Sequence, residues 1–198
     1  YMSNSDGLGF IDFANPGQAV KIVPRTFDEA WKFIQTHING KRGVVHWRMR
    51  TSGATDVERV HPYVINDGFY LLHNGIMRAW ESPSTSIKEE GKPARYVAVN
   101  DKSDTQNLAE HLALLAERNP DLLRDPHFHS LLGRMIGDSN RLVIVDRISG
   151  ESWIVNEDTG FYPDAGIWQA NMYAGDYIYT PPKFTVVKGG KKKKSKSK

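Results

Sequence analysis

The chain has 198 residues, of which 39% are hydrophobic and 11% aromatic. It can therefore bury a core, and its composition is not that of an intrinsically disordered protein. It contains no cysteine, which excludes disulfides, thiolate metal sites and a cysteine nucleophile within these residues. The net charge is +3, but the last ten residues hold six lysines, which leaves 3 − 6 = −3 for the rest and argues against a basic nucleic-acid-binding domain.

The composition predicts one domain over residues 1–188 and a disordered lysine-rich tail over residues 189–198. The tail could contact phosphates or acidic surfaces without reading a sequence. No apolar run approaches the length of a membrane span, and no secretion signal is evident. We therefore expect a cytoplasmic protein, in the host cytoplasm if it is phage-encoded, with no membrane partner.

The first half of the chain reads as a hairpin, a helix and two further strands. Strands are predicted at 8–14 and 19–24, separated by the turn signal Asn-Pro-Gly. Thr26 followed by Glu29 predicts a capped helix that runs to residue 38, where Asn39-Gly40 ends it. Further strands are predicted at 43–48 and 68–74.

The second half begins with a stretch, 78–102, that reads as loop because it contains two prolines and several serines. Ser103 followed by Gln106 predicts a capped helix to about residue 118, and a short helix is expected at 127–135. Strands are predicted at 141–147 and 151–156, and a last pair between 167 and 187. Strands at both ends with helices between them indicate an α+β fold.

The central stretch carries most of the candidate chemistry. Arg48 ends a predicted strand, where a guanidinium can fork two hydrogen bonds onto a carboxylate, although for this residue alone a surface or ion-paired arginine is the better explanation. The histidines at 46, 61 and 73 raise the alternative of a zinc site. Their spacing fits no compact zinc motif, so we predict no metal and expect these histidines to be satisfied by backbone groups.

Asn74 and Gly75 follow a strand predicted to be buried. An asparagine amide beside an exposed glycine N–H can form an oxyanion hole, although Asn-Gly is also a common turn signal. Asp104 stands at a predicted helix start, which the helix dipole favours by itself. As a functional residue, its carboxylate would receive an ammonium group.

Six segments occur in the order "NSDGLGF", "HWRMRTSG", "HPY", "LLHNGI", "SDTQ" and "NRLVIVDRISG". Together they resemble the class II glutamine amidotransferases, which are N-terminal-nucleophile hydrolases, and most closely the small stand-alone members of bacterial and phage genomes. The resemblance runs from residue 4 to residue 173. It implies a four-layer αββα sandwich of two antiparallel sheets.

The resemblance also implies roles for matched positions. Arg48 would bind the α-carboxylate of glutamine, and Thr51 and Gly53 would line the same pocket. Asn74 and Gly75 would form the oxyanion hole. Asp104 would take the α-ammonium group. No cofactor is implied.

The family's reaction implies glutamine hydrolysis or amidotransfer through a thioester on an N-terminal cysteine, whose α-amino group acts as base. Here the chain departs from the family, since it has no cysteine and its first residue is Tyr1. We therefore expect the nucleophile-bearing strand to be absent from these residues. Met49 and Ser52 replace a tryptophan and a histidine of the branch that aminates sugar phosphates, which argues against that acceptor.

Three explanations stay open for the missing nucleophile. The sequence is a fragment, or a separate chain supplies the strand, or the domain is a degenerate relative. In the last case it would be a non-catalytic binding or structural module, of the kind a phage could encode. The leading prediction is a glutaminase-type domain that binds glutamine or a related small amide and is active only when the cysteine is supplied.

Overall fold

The structure is a computed structural model, and it describes residues 6–49, 56–88, 95–98, 100, 102–164 and 166–171. The helices of this part of the chain are α1 (Phe27–Phe33), α2 (Asp104–Arg118) and α3 (Pro126–Ile136), and a π-helical turn, Ile34–Ile38, extends α1. The strands are β1 (Gly7–Asp12), β2 (Ala19–Ile22), β3 (Gly43–Arg48), β4 (Tyr63–Asn66), β5 (Phe69–Asn74), β6 (Ser84–Ile87), β7 (Arg95–Ala98), β8 (Arg141–Asp146), β9 (Ser152–Val155), β10 (Phe161–Asp164) and β11 (Ile167–Gln169).

Two antiparallel sheets form the centre of the molecule. One has the strand order β2-β1-β3 and the other the order β4-β5-β8-β9. Two separate hairpins, β6-β7 and β10-β11, complete the described strands. The α+β prediction is confirmed.

Alternate side chains of β5 explain how the four-stranded sheet is covered on both faces. Phe69 and Leu71 point into a core shared with Leu108 and Leu112 of α2 and Leu132 of α3. The residues between and after them, Tyr70 and Leu72, point the other way. This period of two makes one face of the strand contact helices and the other contact the second sheet.

The second core lies between the sheets, where Tyr70 and Leu72 of β5 meet Ile11 of β1 and Val145 of β8. A third core lies beyond the three-stranded sheet, where Leu8 and Phe10 pack on α1. The three cores therefore separate four layers in the order helix, sheet, sheet, helix pair. Burial of apolar surface between layers is the main stabilising term of such a fold.

Helix starts follow the capping pattern in the sequence. The Thr26 hydroxyl accepts from the N–H of Glu29 at 3.2 Å. Ser103 and Gln106 form a reciprocal capping box, with the Ser103 hydroxyl accepting from the Gln106 N–H and the Gln106 side chain accepting from the Ser103 N–H. Both predicted caps are confirmed, and the second fixes the first turn of α2 at residue 104.

Other parts of the element prediction were wrong. Strand β4 was missed because His61-Pro62 reads as a turn, and its four residues are too few to establish a period. Residues 78–102 contain a 3-10 turn at Arg78–Trp80 and the hairpin β6-β7, where only a loop was predicted. The last strand pair begins at Phe161, earlier than predicted. The predicted part beyond residue 171 and the lysine tail lie outside the described residues.

None of the helices in the described ranges has the length and apolar character needed to cross a bilayer.

Candidate functional site

Three element ends meet at one cleft of about 1060 Å³. Arg48 is the last residue of β3, Asn74 is the last residue of β5, and Asp104 is the first residue of α2. All three line the cleft, and Gly75 lines it beside Asn74. The structure thus brings together four of the six predicted site residues, whereas Thr51 and Gly53 lie outside the described residues.

The cleft forms where the imidazole of His46 links the two sheets by a hydrogen bond. His46 Nε2 on β3 donates to the backbone carbonyl of His73 on β5 at 3.1 Å. The backbone N–H of His73 in turn donates to Nδ1 of His61 at 3.3 Å. Backbone groups therefore bind one ring nitrogen of each of these two histidines, whereas Nδ1 of His46 is buried without a hydrogen-bond partner. The two bonds hold the carboxyl ends of β3 and β5 side by side.

A glycine on β1 lets the segment that carries His61 come close. A Cβ atom built on Gly9 would lie 1.8 Å from the carbonyl oxygen of His61, well inside van der Waals contact. Any larger residue at position 9 would push the imidazole away from the end of β5. The glycine thus helps to set the depth of the cleft.

The three histidines are neutral at neutral pH. Burial lowers the pKa of His46 to about 3, with the nearby His73 and Arg48 acting in the same direction. Burial also lowers the pKa of His61 well below its ordinary value. The pKa of His73 is lowered by burial as well, although Asp104 and a hydrogen bond to Asn140 oppose that shift. The wall behind the cleft is therefore polar but uncharged.

Asp104 is fixed by backbone donors from two directions. Its Oδ2 accepts from the N–H of Met77 at 2.8 Å. Its Oδ1 accepts from the N–H of Thr105 at 2.7 Å. A carboxylate has about four lone-pair sites. These two bonds therefore hold the group in place and leave it able to accept a cationic donor from the cleft.

The backbone turns sharply at Gly75, where φ is +135°, a value that L side chains rarely adopt. A Cβ at this position would lie 2.2 Å from Oδ1 of Asn140 and 2.9 Å from the carbonyl oxygen of Ser139. Both the backbone conformation and the space therefore require glycine. Within the described part of the chain the side chain of Asn74 makes no hydrogen bond, so its amide is available to a ligand.

Tyr63 links the walls of the cleft. Its hydroxyl donates to the carbonyl of Arg59 at 3.0 Å and accepts from the hydroxyl of Ser103 at 3.3 Å. Burial raises the pKa of Tyr63, Asp104 acts in the same direction, and Arg48 opposes it. Arg48 and Asp104 line the same cleft as Tyr63, and the charges of both act on its hydroxyl.

The described lining of the cleft is rich in positive charge. Its only charged carboxylate is Asp104, against four arginines, Arg48, Arg59, Arg78 and Arg141. Arg141 is partly committed to the wall, since it donates to the carbonyl of Thr159 at 2.6 Å. Arg59 is paired with Asp56, whose carboxylate lies 3.6 Å from its guanidinium. A cleft that presents both signs of charge favours a ligand that carries an anionic group and a cationic group.

Among the described residues, no group of three or more histidine, cysteine, aspartate or glutamate side chains is arranged to hold a metal ion. The three histidines face one another through backbone bonds and ring contacts, with the rings of His46 and His61 4.0 Å apart between centroids.

Sequence reasoning missed three residues that shape the site. His73 was considered as a metal ligand or as a histidine satisfied by backbone groups, but both of its ring nitrogens face side chains, those of Thr105 and Asn140. Thr105 lies in the "SDTQ" segment, and its hydroxyl lies 2.9 Å from Nδ1 of His73. Asn140 reads in the sequence as an ordinary turn residue before a strand, and nothing local indicates its contact with His73 across 67 positions.

Comparison with known proteins finds no matching family model. The chain is 27% identical over 120 residues to glutamine–fructose-6-phosphate aminotransferase (isomerizing) of Idiomarina loihiensis, which covers 61% of this chain and 19% of that enzyme. The enzymes of the same name from Aliivibrio fischeri (28% over 88 residues) and Pseudomonas syringae pv. tomato (32% over 83 residues) match 44% and 42% of the chain. These matches cover only 14% and 13% of those enzymes. The similarity is therefore distant and confined to a small part of each relative.

Proposed function

We propose that this domain binds L-glutamine and supports glutamine hydrolysis or amidotransfer of the class II type. The observation that carries the proposal is the meeting of Arg48, Asp104 and the Asn74–Gly75 corner in one cleft. These residues are far apart in the sequence, and each offers one of the groups that a glutamine molecule needs. The distant similarity to enzymes named for glutamine points the same way.

In this proposal the amino-acid end of glutamine bridges opposite charges. The guanidinium of Arg48 binds the α-carboxylate through two parallel hydrogen bonds. The carboxylate of Asp104, held by backbone N–H groups, receives the α-ammonium. Thr51 and Gly53 would line the same pocket.

The amide end of glutamine would then lie against Asn74 and Gly75. The thiolate of an N-terminal cysteine attacks the amide carbonyl, and the oxygen becomes negatively charged as the tetrahedral intermediate forms. A donor placed for that oxygen typically contributes roughly 3 kcal/mol to the lowering of the barrier. Ammonia then leaves with a proton delivered by the terminal amino group, and water cleaves the thioester to give glutamate.

The layered architecture agrees with this assignment. Helix, sheet, sheet and helix pair follow one another in the order that the resemblance implies for an N-terminal-nucleophile hydrolase. The nucleophile would come from a strand that is not among these 198 residues, carried on the same polypeptide or on a separate chain. The binding half of the proposal can be tested without it.

The first experiment is calorimetric titration of the chain with L-glutamine and two truncated analogues. Glutaramic acid lacks the α-amino group, and 4-aminobutanamide lacks the α-carboxylate. We expect glutamine to bind and each analogue to bind about tenfold or more weakly, because each loses a hydrogen bond to a charged group. Equal affinities for all three compounds, or no binding of glutamine, would refute the proposed site.

The second experiment concerns a form of the protein in which a processed N-terminal cysteine strand is present. A diazo-ketone analogue of glutamine should alkylate that cysteine, with loss of dinitrogen, and the mass shift should map to the N-terminal peptide. Excess glutamine should slow the reaction. A correctly processed cysteine that does not react would argue for the alternative.

That alternative is a non-catalytic binding or structural module, and the absence of cysteine from these residues favours it. Such a module would retain the proposed glutamine site or use the lysine-rich tail for acidic partners. Glutamine binding without reaction at a processed cysteine would identify it.

A further inference from the structure

We propose that Asn140 is a positioning residue of the glutamine site and acts by selecting the tautomer of His73. Through that tautomer it directs the hydroxyl proton of Thr105 toward the imidazole and away from Asp104. The inference rests on the proposed function, because it concerns the carboxylate that is proposed to receive the ligand's ammonium group.

The orientation of the Asn140 amide follows from its second partner. Its Nδ2 lies 2.7 Å from the backbone carbonyl of Ile136, which can only accept. The atom that faces His73 is therefore Oδ1, 3.0 Å from Nε2. Because Oδ1 also only accepts, Nε2 of His73 must carry a proton.

Asn140 is itself held in place. It is 3% exposed, its N–H donates to the carbonyl of Gly137 at 3.0 Å, and its carbonyl accepts from the side chain of Asn156 at 2.8 Å. The acceptor that selects the tautomer is therefore a fixed part of the fold. The same Oδ1 atom lies 2.2 Å from the position that a Cβ would take on Gly75, so Asn140 packs against the residues on both sides of Asn74.

The other ring nitrogen of His73 continues the chain of hydrogen bonds. Its Nδ1 lies 2.9 Å from the hydroxyl of Thr105, which also lies 3.2 Å from Oδ1 of Asp104. A neutral ring protonated at Nε2 has a free lone pair at Nδ1, so the single hydroxyl proton of Thr105 points there. Asp104 then receives no hydroxyl proton and keeps that lone pair for a ligand.

The surroundings of His73 favour the neutral ring. It is 4% exposed, and the titratable groups that face it are His46 from β3, His61 from the segment before β4, and Asp104 from α2. The two imidazoles are themselves buried and neutral. Protonation of His73 would reverse the hydrogen bond between its Nδ1 and Thr105. Nδ1 would then donate to the Thr105 hydroxyl, and the hydroxyl would donate to Asp104.

The test is Asn140→Asp in the 198-residue chain, with L-glutamine affinity measured by calorimetry across pH. A carboxylate beside Nε2 favours the imidazolium form, so binding should be about tenfold weaker at low pH and recover as pH rises. The unaltered chain should show no such recovery over the same range. Asn39→Asp, the same change at an exposed position, is the matched control.

Asn140→Leu supplies a second variant that adds no charge. Loss of the acceptor should shift the ring proton from Nε2 to Nδ1, visible in the ¹⁵N chemical shifts of His73, and weaken binding at every pH. Unchanged tautomer and affinity in both Asn140 variants would overturn the inference while the proposed function stands. If the unaltered chain fails to bind glutamine, the proposed function falls and the inference falls with it.

Discussion

The imidazole rings of His46 and His61 pack against each other with their centroids 4.0 Å apart, and neither ring carries a charge at neutral pH. His46 comes from the three-stranded sheet, whereas His61 comes from the segment that leads into the four-stranded sheet. A positive charge on either ring would be buried beside the other ring. This contact therefore makes the joint between the sheets sensitive to acid.

The first prediction is that stability falls as pH falls below about 6.5. In the unfolded chain these histidines bind protons near their ordinary pKa of about 6.5, but in the folded chain the pKa of His46 is lowered to about 3 by burial. Protons between these values bind preferentially to the unfolded chain. The contribution of the neutral His46 to the free energy of unfolding is therefore complete above pH 6.5 and is lost on acidification toward pH 3.

Urea unfolding between about pH 7.5 and about pH 5 measures this effect in a range where carboxyl groups change little. Below the ordinary histidine pKa, each histidine that stays unprotonated in the folded chain should lower the free energy of unfolding by about 1.4 kcal/mol per pH unit. His46→Gln should reduce the slope, whereas His127→Gln at an exposed position should leave it unchanged. A free energy of unfolding that does not vary over this range would contradict the prediction.

The second prediction concerns the two charges that would hold the ends of glutamine. Arg48→Ala should weaken glutamine binding by about 10- to 100-fold, because it removes charge-assisted hydrogen bonds to the α-carboxylate. Its affinity for 4-aminobutanamide, which lacks that carboxylate, should be unchanged. Asp104→Asn should likewise weaken glutamine binding, and its affinity for glutaramic acid, which lacks the α-amino group, should be unchanged.

Calorimetry of the two variants with the three ligands checks this pairing of residue and ligand group. Arg134→Ala and Asp67→Asn, which change exposed residues that do not line the cleft, are the controls. A loss of affinity that is equal for all three ligands would indicate general damage to the cleft rather than recognition of one group.

The third prediction separates steric contact from backbone strain at the Asn74–Gly75 corner. Gly75→Ala should reduce the free energy of unfolding by about 3 kcal/mol and abolish glutamine binding, because the methyl group would overlap Oδ1 of Asn140. Gly137→Ala also has a positive φ, +78°, but meets open space. Because its ψ of 160° lies outside the left-handed helical region, the variant should lose about 2 kcal/mol from backbone strain alone. Chemical denaturation measures the free energy of unfolding of both variants. Equal losses in the two would argue against steric contact between residue 75 and Asn140.

The fourth prediction concerns a buried carboxylate far from the cleft. Asp146 accepts from Arg124 at 2.6 Å and from the N–H groups of Ile148 and Ser149 at 2.7 and 3.0 Å. Burial opposes ionisation, but these donors hold the pKa of Asp146 below its ordinary value. The carboxylate therefore ties the turn after β8 to the segment before α3.

Asp146→Asn keeps an acceptor for the turn but loses the ion pair and the two hydrogen bonds that Oδ2 accepts from Nε and Nη2 of Arg124. Solvent screens this loss because the Arg124 side chain is 39% exposed. It should lower the free energy of unfolding by about 1 kcal/mol. Asp146→Ala also leaves two N–H groups unpaired and should lower it by about 3 kcal/mol. Asp121→Asn removes the exposed partner of the same arginine and should change nothing measurable in thermal or urea unfolding.

Much of the fold could be predicted from local sequence. The strand that ends at Arg48 and the helix that begins after Ser103 have the predicted bounds, since strand periodicity and a capping box act over a few residues. Strand β4 and the hairpin β6-β7 could not be predicted, because they are short and lie between prolines and serines. Pairing with a neighbouring strand, rather than local preference, stabilises such strands.

Local sequence could likewise indicate some residues of the candidate site but not others. Arg48, Asn74, Gly75 and Asp104 could be chosen from residue type and position at element ends, and the structure places them on one cleft, while their roles stay predictions. Asn140 could not be chosen, because its bond to His73 spans 67 positions.

Local sequence is enough to locate the helices, the longer strands and the polar residues at their ends, because caps, turns and alternation depend on near neighbours in the chain. That these ends meet in one cleft follows from tertiary packing alone. The stacking of two sheets brings β3 beside β5, and the bonds from His46 and His61 to the backbone of His73 hold them there. Through-space contacts of this kind leave no mark in the local sequence.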